Sequence, residues 1–368
     1  MTATRPIAAS PVDAEDVRSR VDAALARFLD QQESRFEDML PTADDRAPWI
    51  EVLTSLRSFL AHGKRLRAAF CYWGWRGAGG DPEDEGIITA AAALELLHAF
   101  ALVHDDIIDD SDTRRGAPSL HRRHANRHLE SGGNGPSELY GKSVALLLGD
   151  LCLGWFHEML DGSGLPAERL RTARGLVSHS FSELILGQYL DLEEQTARTL
   201  SAERAETVIR YKTAKYTVER PMHLGGVLAG ASPELLNSYT DYALPLGEAF
   251  QLRDDVLGAF GEAELTGKPV ADDLRTRKST VLVATARSRA TREQAEQLDR
   301  LFAGHDLTEE QVGQLASLLV RTGALQESED LIATRAEAAS GVLTAMPVDG
   351  DARDVLDELV VACTRRVR

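Results

Sequence analysis

Cysteine is scarce in this 368-residue chain: Cys71, Cys152 and Cys363 stand alone. No two share a metal-ligand spacing, which argues against a zinc site and suits a reducing compartment, so a cytoplasmic location is expected. The N-terminus carries no apolar h-region, and no run of 18 apolar residues occurs; neither a secretory signal nor a membrane span is expected. No linker rich in Pro, Gly or Ser is long enough to divide the chain. Residues 14–368 therefore read as one domain, behind an arm at residues 1–13 that holds Pro6 and Pro11 and is expected to be disordered. Alternation of Val, Ile and Thr is also missing, so an all-α chain with essentially no strand is expected. Positive charge is in short supply. A net charge of −17 argues against nucleic acid, whose phosphates need clustered Lys and Arg. It is equally awkward for any polyanionic substrate, unless metal ions and a few local cations reverse the sign inside a pocket. No convincing nucleophile–base triad is found.

Apolar residues, at 43%, suffice for a sizeable core. Val17, Val21, Ala24, Leu25 and Phe28 recur at helical spacing, and residues 49–60 form a second helix. The run from Ala90 to Ala101 is dominated by Ala and Leu without Gly or Pro, and reads as a buried helix. Directly after it, five carboxylates fall within eight residues: Asp105, Asp106, Asp109, Asp110 and Asp112. Asp105 and Asp109 are i,i+4 neighbours, as are Asp106 and Asp110; like charges so placed repel unless a cation sits between them. A solvated acidic helix end is the plain alternative, but acids there also oppose the helix dipole. Hard oxygens at this spacing suit Mg²⁺ with a phosphate-bearing substrate. Downstream, the apolar helix 242–252 ends in a second acidic pair, Asp254 and Asp255, followed by Gly267, Lys268, Pro269, Asp272, Asp273 and Lys278. Two acidic helix ends facing across a cavity would clamp a polyanion such as diphosphate through bound metal.

Other residues have ordinary readings as well as functional ones. Lys64, Arg65 and Arg67 follow the break at His62-Gly63; cations at a helix start oppose the dipole, so an anion there would explain them. His98 on an apolar helix is usually a satisfied core residue. Arg114 and Arg115 in the loop before Gly116 either neutralise the acids or bind phosphate bidentately. The basic stretch His121, Arg122, Arg123, His124, Arg127, His128 reads as a solvated face, with His121 excepted as a loop support. Lys212, inside an apolar helix, snorkels or faces a bound anion. The loop 261–278 suits closure over a site. Three or four amphipathic helices complete the chain after Thr280.

These features together resemble the polyprenyl synthetase family, the trans-isoprenyl diphosphate synthases, from about Phe59 onward. The resemblance rests on Gly63-Lys64-Arg65-Leu66-Arg67, Asp105-Asp106-x-x-Asp109, Arg114-Arg115-Gly116, Gly187-Gln188, Lys212-Thr213, Phe250-Gln251 with Asp254-Asp255, Lys268 and Lys278. One departure stands out: the family's second motif ends in aspartate, and this chain has Gly258 there. The resemblance implies a single large helical bundle, the isoprenoid synthase fold, around a central cavity, and a homodimer. It implies a head-to-tail prenyltransferase condensing isopentenyl diphosphate with an allylic diphosphate. Asp105, Asp106, Asp109, Asp254 and Asp255 would hold Mg²⁺, three ions with substrate bound. Gly63, Lys64, Arg67, His98 and Arg115 would hold isopentenyl diphosphate. Arg114, Gln188, Lys212, Thr213, Gln251, Lys268 and Lys278 would serve the allylic diphosphate and its departure, and Asp272 resembles a further acidic residue of the family. Phe100 and Ala101, upstream of Asp105, would set product length. One aromatic at the fifth position before a compact first motif resembles the geranylgeranyl-forming group. The alternatives are a farnesyl or longer-chain synthase, a class I terpene cyclase, which would not need Lys64, Arg67 and Arg115, or a non-catalytic partner subunit, which would tend to lose its aspartates.

Overall fold

Helix follows helix along the chain, and local chemistry fixes many of the boundaries. The computed structural model describes residues 10–196, 201–261, 271–276, 278–303 and 307–365. The expected arm over 1–13 is shorter than its sequence suggested. Pro11–Asp16 forms a 3₁₀ turn, and Val12 is buried in the main core, which ties the chain down; residues 1–9 lie outside the described residues. Helices α1 (Val17–Met39), α2 (Ala43–Leu60) and α3 (Leu66–Gly77) precede α4 (Glu85–Ile108). Asp84 caps α4 by accepting from the Gly86 amide. Ile87, Ile88 and Ala90 to Ala93 are all fully buried, so α4 is apolar on every side and runs as the central helix. It lies against α1, α3 and α6 (Ser137–Asp161).

Between α4 and α5 (Leu120–Glu130) lie the only strands among the described residues. Strands β1 (Thr113–Arg114) and β2 (Ala117–Pro118) form a two-residue antiparallel hairpin, with Arg114 opposite Ala117. Arg115 and Gly116 both have positive φ, as a tight hairpin turn of the primed type requires. Helix α7 (Ala167–Thr196) is followed by α8 (Ala202–Val208), a π-helical segment (Ile209–Glu219) and α9 (Arg220–Ala229). The helix that carries Lys212 is thus wound in three pieces. Glycines admit the wide π segment: a Cβ on Gly187 of α7 would stand 2.4 Å from the Lys212 nitrogen, and one on Gly247 2.6 Å from the Ala214 Cα. Helix α10 (Pro233–Phe260) starts with Ser232 capping the Leu235 amide and Pro233 in its first turn. Its buried Tyr239 and Tyr242 donate to the carbonyls of Gly74 and Leu356.

A four-residue helix, α11 (Asp272–Arg275), interrupts the loop expected over 261–278. Five helices then follow, rather than three or four: α12 (Val281–Arg289), α13 (Arg292–Ala303), α14 (Glu309–Arg321), α15 (Ala324–Leu343) and α16 (Gly350–Thr364). Several of them build a smaller core around Leu282, Leu315 and Leu318, beside the end of α10. By length and composition α4 and α6 would suffice to cross a bilayer, but most of α4 is buried in the core, as in any central helix, and composition alone establishes no span.

Candidate active site

The C-terminal ends of α4 and α10, the middle of α7 and the π segment surround a cavity of about 340 Å³. Asp105 enters from α4, and Asp254 and Asp255 from α10; Gln188 and Asp191 enter from α7, and Lys212, Thr213, Tyr216 and Thr217 from the π segment. Arg67, His98, Arg114, Gln251 and Lys278 complete its polar wall, while Ala101, Leu102, Leu184 and Phe250 supply apolar surface. Both acidic helix ends therefore open on one space.

The five carboxylates of the first motif do different things. Asp105 Oδ1 accepts from Lys212 Nζ at 3.1 Å and from Gln188 Nε2 at 3.2 Å. Burial opposes its charge, but Lys212, Lys278 and Arg114 outweigh it and hold the carboxyl below its usual range. Asp106 is turned into the protein, with 1% of its surface exposed, and pairs with Arg114, whose Nε donates to Oδ1 at 2.9 Å. Asp106, expected as a metal ligand, does not line the cavity, and its packing under Arg114 supports that side chain. Asp109 closes α4, its amide bonded to the Asp105 carbonyl. Asp110 and Asp112 face away from the cavity, paired with Arg122 at 3.0 and 2.8 Å, and Lys142 also reaches Asp110.

The basic stretch after the hairpin is a correction as well. His124 is buried rather than solvated, His121 is buried with Ser119 Oγ 3.1 Å from its Nδ1, as a loop support would be, and Arg122 bridges three acids including Glu138. An amphipathic helix has an inner face, and here histidines take part of it. Burial, with Arg127 and Arg123 nearby, pushes His124 down to about 4.

The hairpin splits its two arginines. Arg114 turns inward, 3.6 Å from Asp105 as well as against Asp106. Arg115, at the turn, points the other way and donates to the carbonyls of Phe59 and His62. A Cβ on Gly63 would lie 3.5 Å from its guanidinium, so the residue before Lys64 leaves room for it. A small second pocket, lined by Arg115, Arg65, Glu95 and Phe59, shares His98 and Leu102 with the main cavity. Arg67 donates to Thr217 Oγ1 at 2.8 Å and lies 4.4 Å from the centre of the Tyr216 ring. His98 approaches the Tyr216 hydroxyl at 3.4 Å, and burial followed by Arg67 and Arg115 keeps it well below its usual pKa, hence neutral. Arg65 is different from its neighbours: its guanidinium is buried against Glu95 at 3.0 Å and Asp22 at 2.8 Å, a support inside the fold. Two cationic regions result, Arg67 and Arg115 around His98, and Arg114, Lys212 and Lys278 around Asp105.

On the far wall, Thr213 donates to Gln251 Oε1 at 2.9 Å and Gln251 Nε2 to Asp255 Oδ1 at 2.8 Å. Burial, offset in part by Gln251 and reinforced by Asp273 and Asp254, pushes Asp255 up to about 8. Lys212 reaches Asp191 at 2.6 Å too; despite its burial, Asp105 and Asp191 raise its pKa, so it is charged. Lys268 lies outside the described residues, as does the side chain of Asp272. Sequence reasoning passed over Glu95, Tyr216 and Thr217. Only Glu95, an acid in an all-apolar helix stretch, carried a visible signal.

No three carboxylates, histidines or cysteines already converge on a metal position among the described residues; Lys212 and Arg114 hold the first acidic end. The donor set nevertheless fits a hard dication. Among the described residues neither Asp109 Oδ1 nor Asp106 Oδ2, both buried, has a hydrogen-bond donor, and acceptor-only oxygens in such a place call for a cation.

Two long helices ending in carboxylates across a cation-lined cavity, inside an all-helical bundle, define the isoprenoid synthase fold. The polyprenyl synthetase family model matches residues 51–319, and the chain belongs to this family of prenyltransferases. It is 31% identical to the geranylfarnesyl diphosphate synthase of Aeropyrum pernix, over 85% of this chain and 93% of that one. It is likewise 31% identical to the geranylgeranyl diphosphate synthase of Saccharolobus solfataricus, over 80% and 83%. Among solved structures, geranylgeranyl pyrophosphate synthase of Corynebacterium glutamicum, in complex with isoprenyl diphosphate and magnesium, superposes with a TM-score of 0.89. That pair shares 38% identity and covers 95% of this chain and 99% of that one.

Proposed function

We propose that this chain is a Mg²⁺-dependent head-to-tail prenyltransferase that joins isopentenyl diphosphate to allylic diphosphates, with geranylgeranyl diphosphate as the main product. The carrying observation is a cavity in which Arg114, Lys212 and Lys278 face Asp105 and Asp254, with Arg67 and His98 on its wall and Arg115 on a small pocket that shares His98 with it. A cyclase ionising a single diphosphate has no use for the second region.

In this reading Asp105, Asp109, Asp254 and Asp255 hold the metal, three ions when substrate is bound, and Asp106 keeps Arg114 aimed. Bound Mg²⁺ supplies the charge that makes diphosphate a good leaving group. Lys212, Arg114 and Lys278 hold the allylic diphosphate and stabilise its negative charge as the C–O bond breaks; Gln188, Thr213 and Gln251 set its orientation, and Lys268 joins them. Leu102, Leu184 and Phe250 wall the allylic cation from water. Lys64, Arg67, His98 and Arg115 hold isopentenyl diphosphate so that its double bond meets C1 of the cation. The proton lost from the adduct passes to the departed diphosphate, which Arg114 and Lys212 still hold.

A homodimer belongs to the same proposal. The exposed Leu139, Tyr140, Leu146 and Leu147 of α6 and Ile185, Leu186 and Tyr189 of α7 are the apolar surface a second copy would cover. Three buried thiols suit the cytoplasm. The test is incubation of the purified chain with Mg²⁺, isopentenyl diphosphate and geranyl or farnesyl diphosphate, followed by product chromatography. Elongated, metal-dependent, linear diphosphates are expected. A cyclic hydrocarbon, or no product, would defeat the reading.

A further inference from the structure

A π-helix is a rare winding that usually lasts a single turn, so the 11 residues of Ile209–Glu219 need something to hold them. The segment carries Lys212 and Thr213 to one cationic region, and Tyr216 and Thr217 to Arg67 and His98 in the other. Gly187 leaves room for the Lys212 backbone but does not fix the register of the winding. The ties of Lys212 itself, to Asp105 and Asp191, lie in the cavity, where a diphosphate would compete for them. On α7, Glu183, Gly187 and Asp191 are four residues apart, hence on one face at steps of about 6 Å. Asp191 meets Lys212 Nζ and Gly187 its backbone, whereas Glu183, a turn further back, does not line the cavity. Glu183 Oε1 accepts from Lys215 Nζ at 2.8 Å and from Arg220 Nη2 at 2.7 Å, and its Oε2 accepts from Arg220 Nε at 2.7 Å. Burial opposes the charge of Glu183, but Arg220 and Lys215 outweigh it and hold the carboxyl below its usual range. Glu219, with 2% of its surface exposed, accepts from Thr240 at 3.0 Å and lies 3.5 Å from Lys215 Nζ and 3.7 Å from Arg220 Nε. Two acids and two cations thus close the C-terminal end of the π segment from outside the cavity.

We propose that Glu183 is a positioning residue: by clamping Lys215 and Arg220 it fixes the register of the π segment, and so keeps Lys212 aimed at diphosphate once that ligand has displaced Asp105 and Asp191 as its partners. The inference rests on the prenyltransferase reading and adds to it a residue that touches no substrate. A bidentate arginine–carboxylate pair fixes direction as well as distance. Lys215 is three residues beyond Lys212, within the same stretch of winding. A slip of one residue there would turn Lys212 by about 100° around the axis, out of line with Asp105 and the cavity.

The experiment is calorimetric titration of inorganic diphosphate into the full chain with and without Mg²⁺, arranged as a double-mutant cycle. Glu183→Gln keeps the size of the side chain and removes its charge, and should weaken the Mg²⁺-dependent binding about fivefold, an ordinary coupling within one ion-pair network. Lys212→Ala should weaken it about tenfold or more, the loss of one charge-assisted contact. Because Glu183 acts through Lys212, adding Glu183→Gln to Lys212→Ala should cost less than about a further twofold, which a general loosening of the fold would not reproduce. Glu183→Asp, which restores the charge but not the reach, should fall between wild type and Glu183→Gln. In case Glu183→Gln does not fold, Lys215→Met, which leaves the Arg220 pair in place, decides by the same two comparisons, with an expected loss of about two- to threefold that vanishes without Lys212. Wild-type affinity in the folded variant, or the same loss with and without Lys212, would overturn the inference while leaving the prenyltransferase reading intact. A wild-type chain without Mg²⁺-dependent diphosphate binding would overturn that reading and the inference together.

Discussion

Replacing Arg67 by Ala separates the two proposed substrate regions. Among the described residues the guanidinium makes a 2.8 Å hydrogen bond to Thr217 and a 4.4 Å approach to the Tyr216 ring, and its buried Nε has no partner. Losing this charge-assisted hydrogen bond costs about 1.5–3 kcal/mol and the partly buried cation–π contact about 1 kcal/mol more, so the melting temperature falls but the fold survives. A charge-assisted contact to diphosphate contributes about 1.5–3 kcal/mol, hence a rise of about ten- to a hundredfold in KM for isopentenyl diphosphate. KM for the allylic substrate should change about threefold at most, because Arg114, Lys212 and Lys278 are untouched. Thr217→Val gives the control: it removes the tether and keeps the charge, and should move the same KM only a few-fold. Initial rates with each substrate varied in turn read both constants. Equal rises in the two KM values for Arg67→Ala would refute the assignment of Arg67 to one region.

Asp105→Ala and Asp254→Ala should each lower kcat by more than about a hundredfold while shifting the melting temperature little, since these carboxylates act chiefly where charge develops; near wild-type turnover at saturating Mg²⁺ would contradict the clamp. Product length should respond more to Ala101→Phe than to Phe100→Ala. Ala101 lies on the cavity wall, one helical turn before Asp105, whereas Phe100 packs against His104 and Phe181 with ring centroids 4.6 and 5.6 Å away. Ala101→Phe is expected to shorten products toward farnesyl and Phe100→Ala to lengthen them modestly, as read by chromatography; the opposite ranking would put the ruler at Phe100. The His124 variant His124→Asn should flatten the loss of stability in mild acid. Wild-type folding favours neutral His124, so its contribution is complete above the unfolded value near 6.5 and is lost as pH falls toward about 4. Between pH 6.5 and 5 this amounts to about 2 kcal/mol, and identical slopes in denaturant melts of the two proteins would exclude it.

The residues themselves determined the helical class and most of the site's membership. Apolar periodicity is a local property, and α4 is so uniformly Ala and Leu that no partner was needed to read it as buried. Asp105, Lys212 and Asp254 stood out because charges at the ends or inside of apolar helices need a reason. What each charged group faces was decided elsewhere. Asp105 and Asp106 are adjacent in sequence, yet a step of about 100° around the helix sends one into the cavity and the other under Arg114. Arg114 and Arg115 are likewise neighbours, and a two-residue turn with positive φ points them to different regions. The π segment was invisible because its wider turn depends on glycines in α7 and α10, far away in the chain. Gly258 read as a missing ligand in one dimension, and only the packing of α11 on α10 shows that the space beside it is filled by the Asp273 side chain. Side-chain type is written in the sequence, but direction is set by which helices pass close enough to exclude every other orientation.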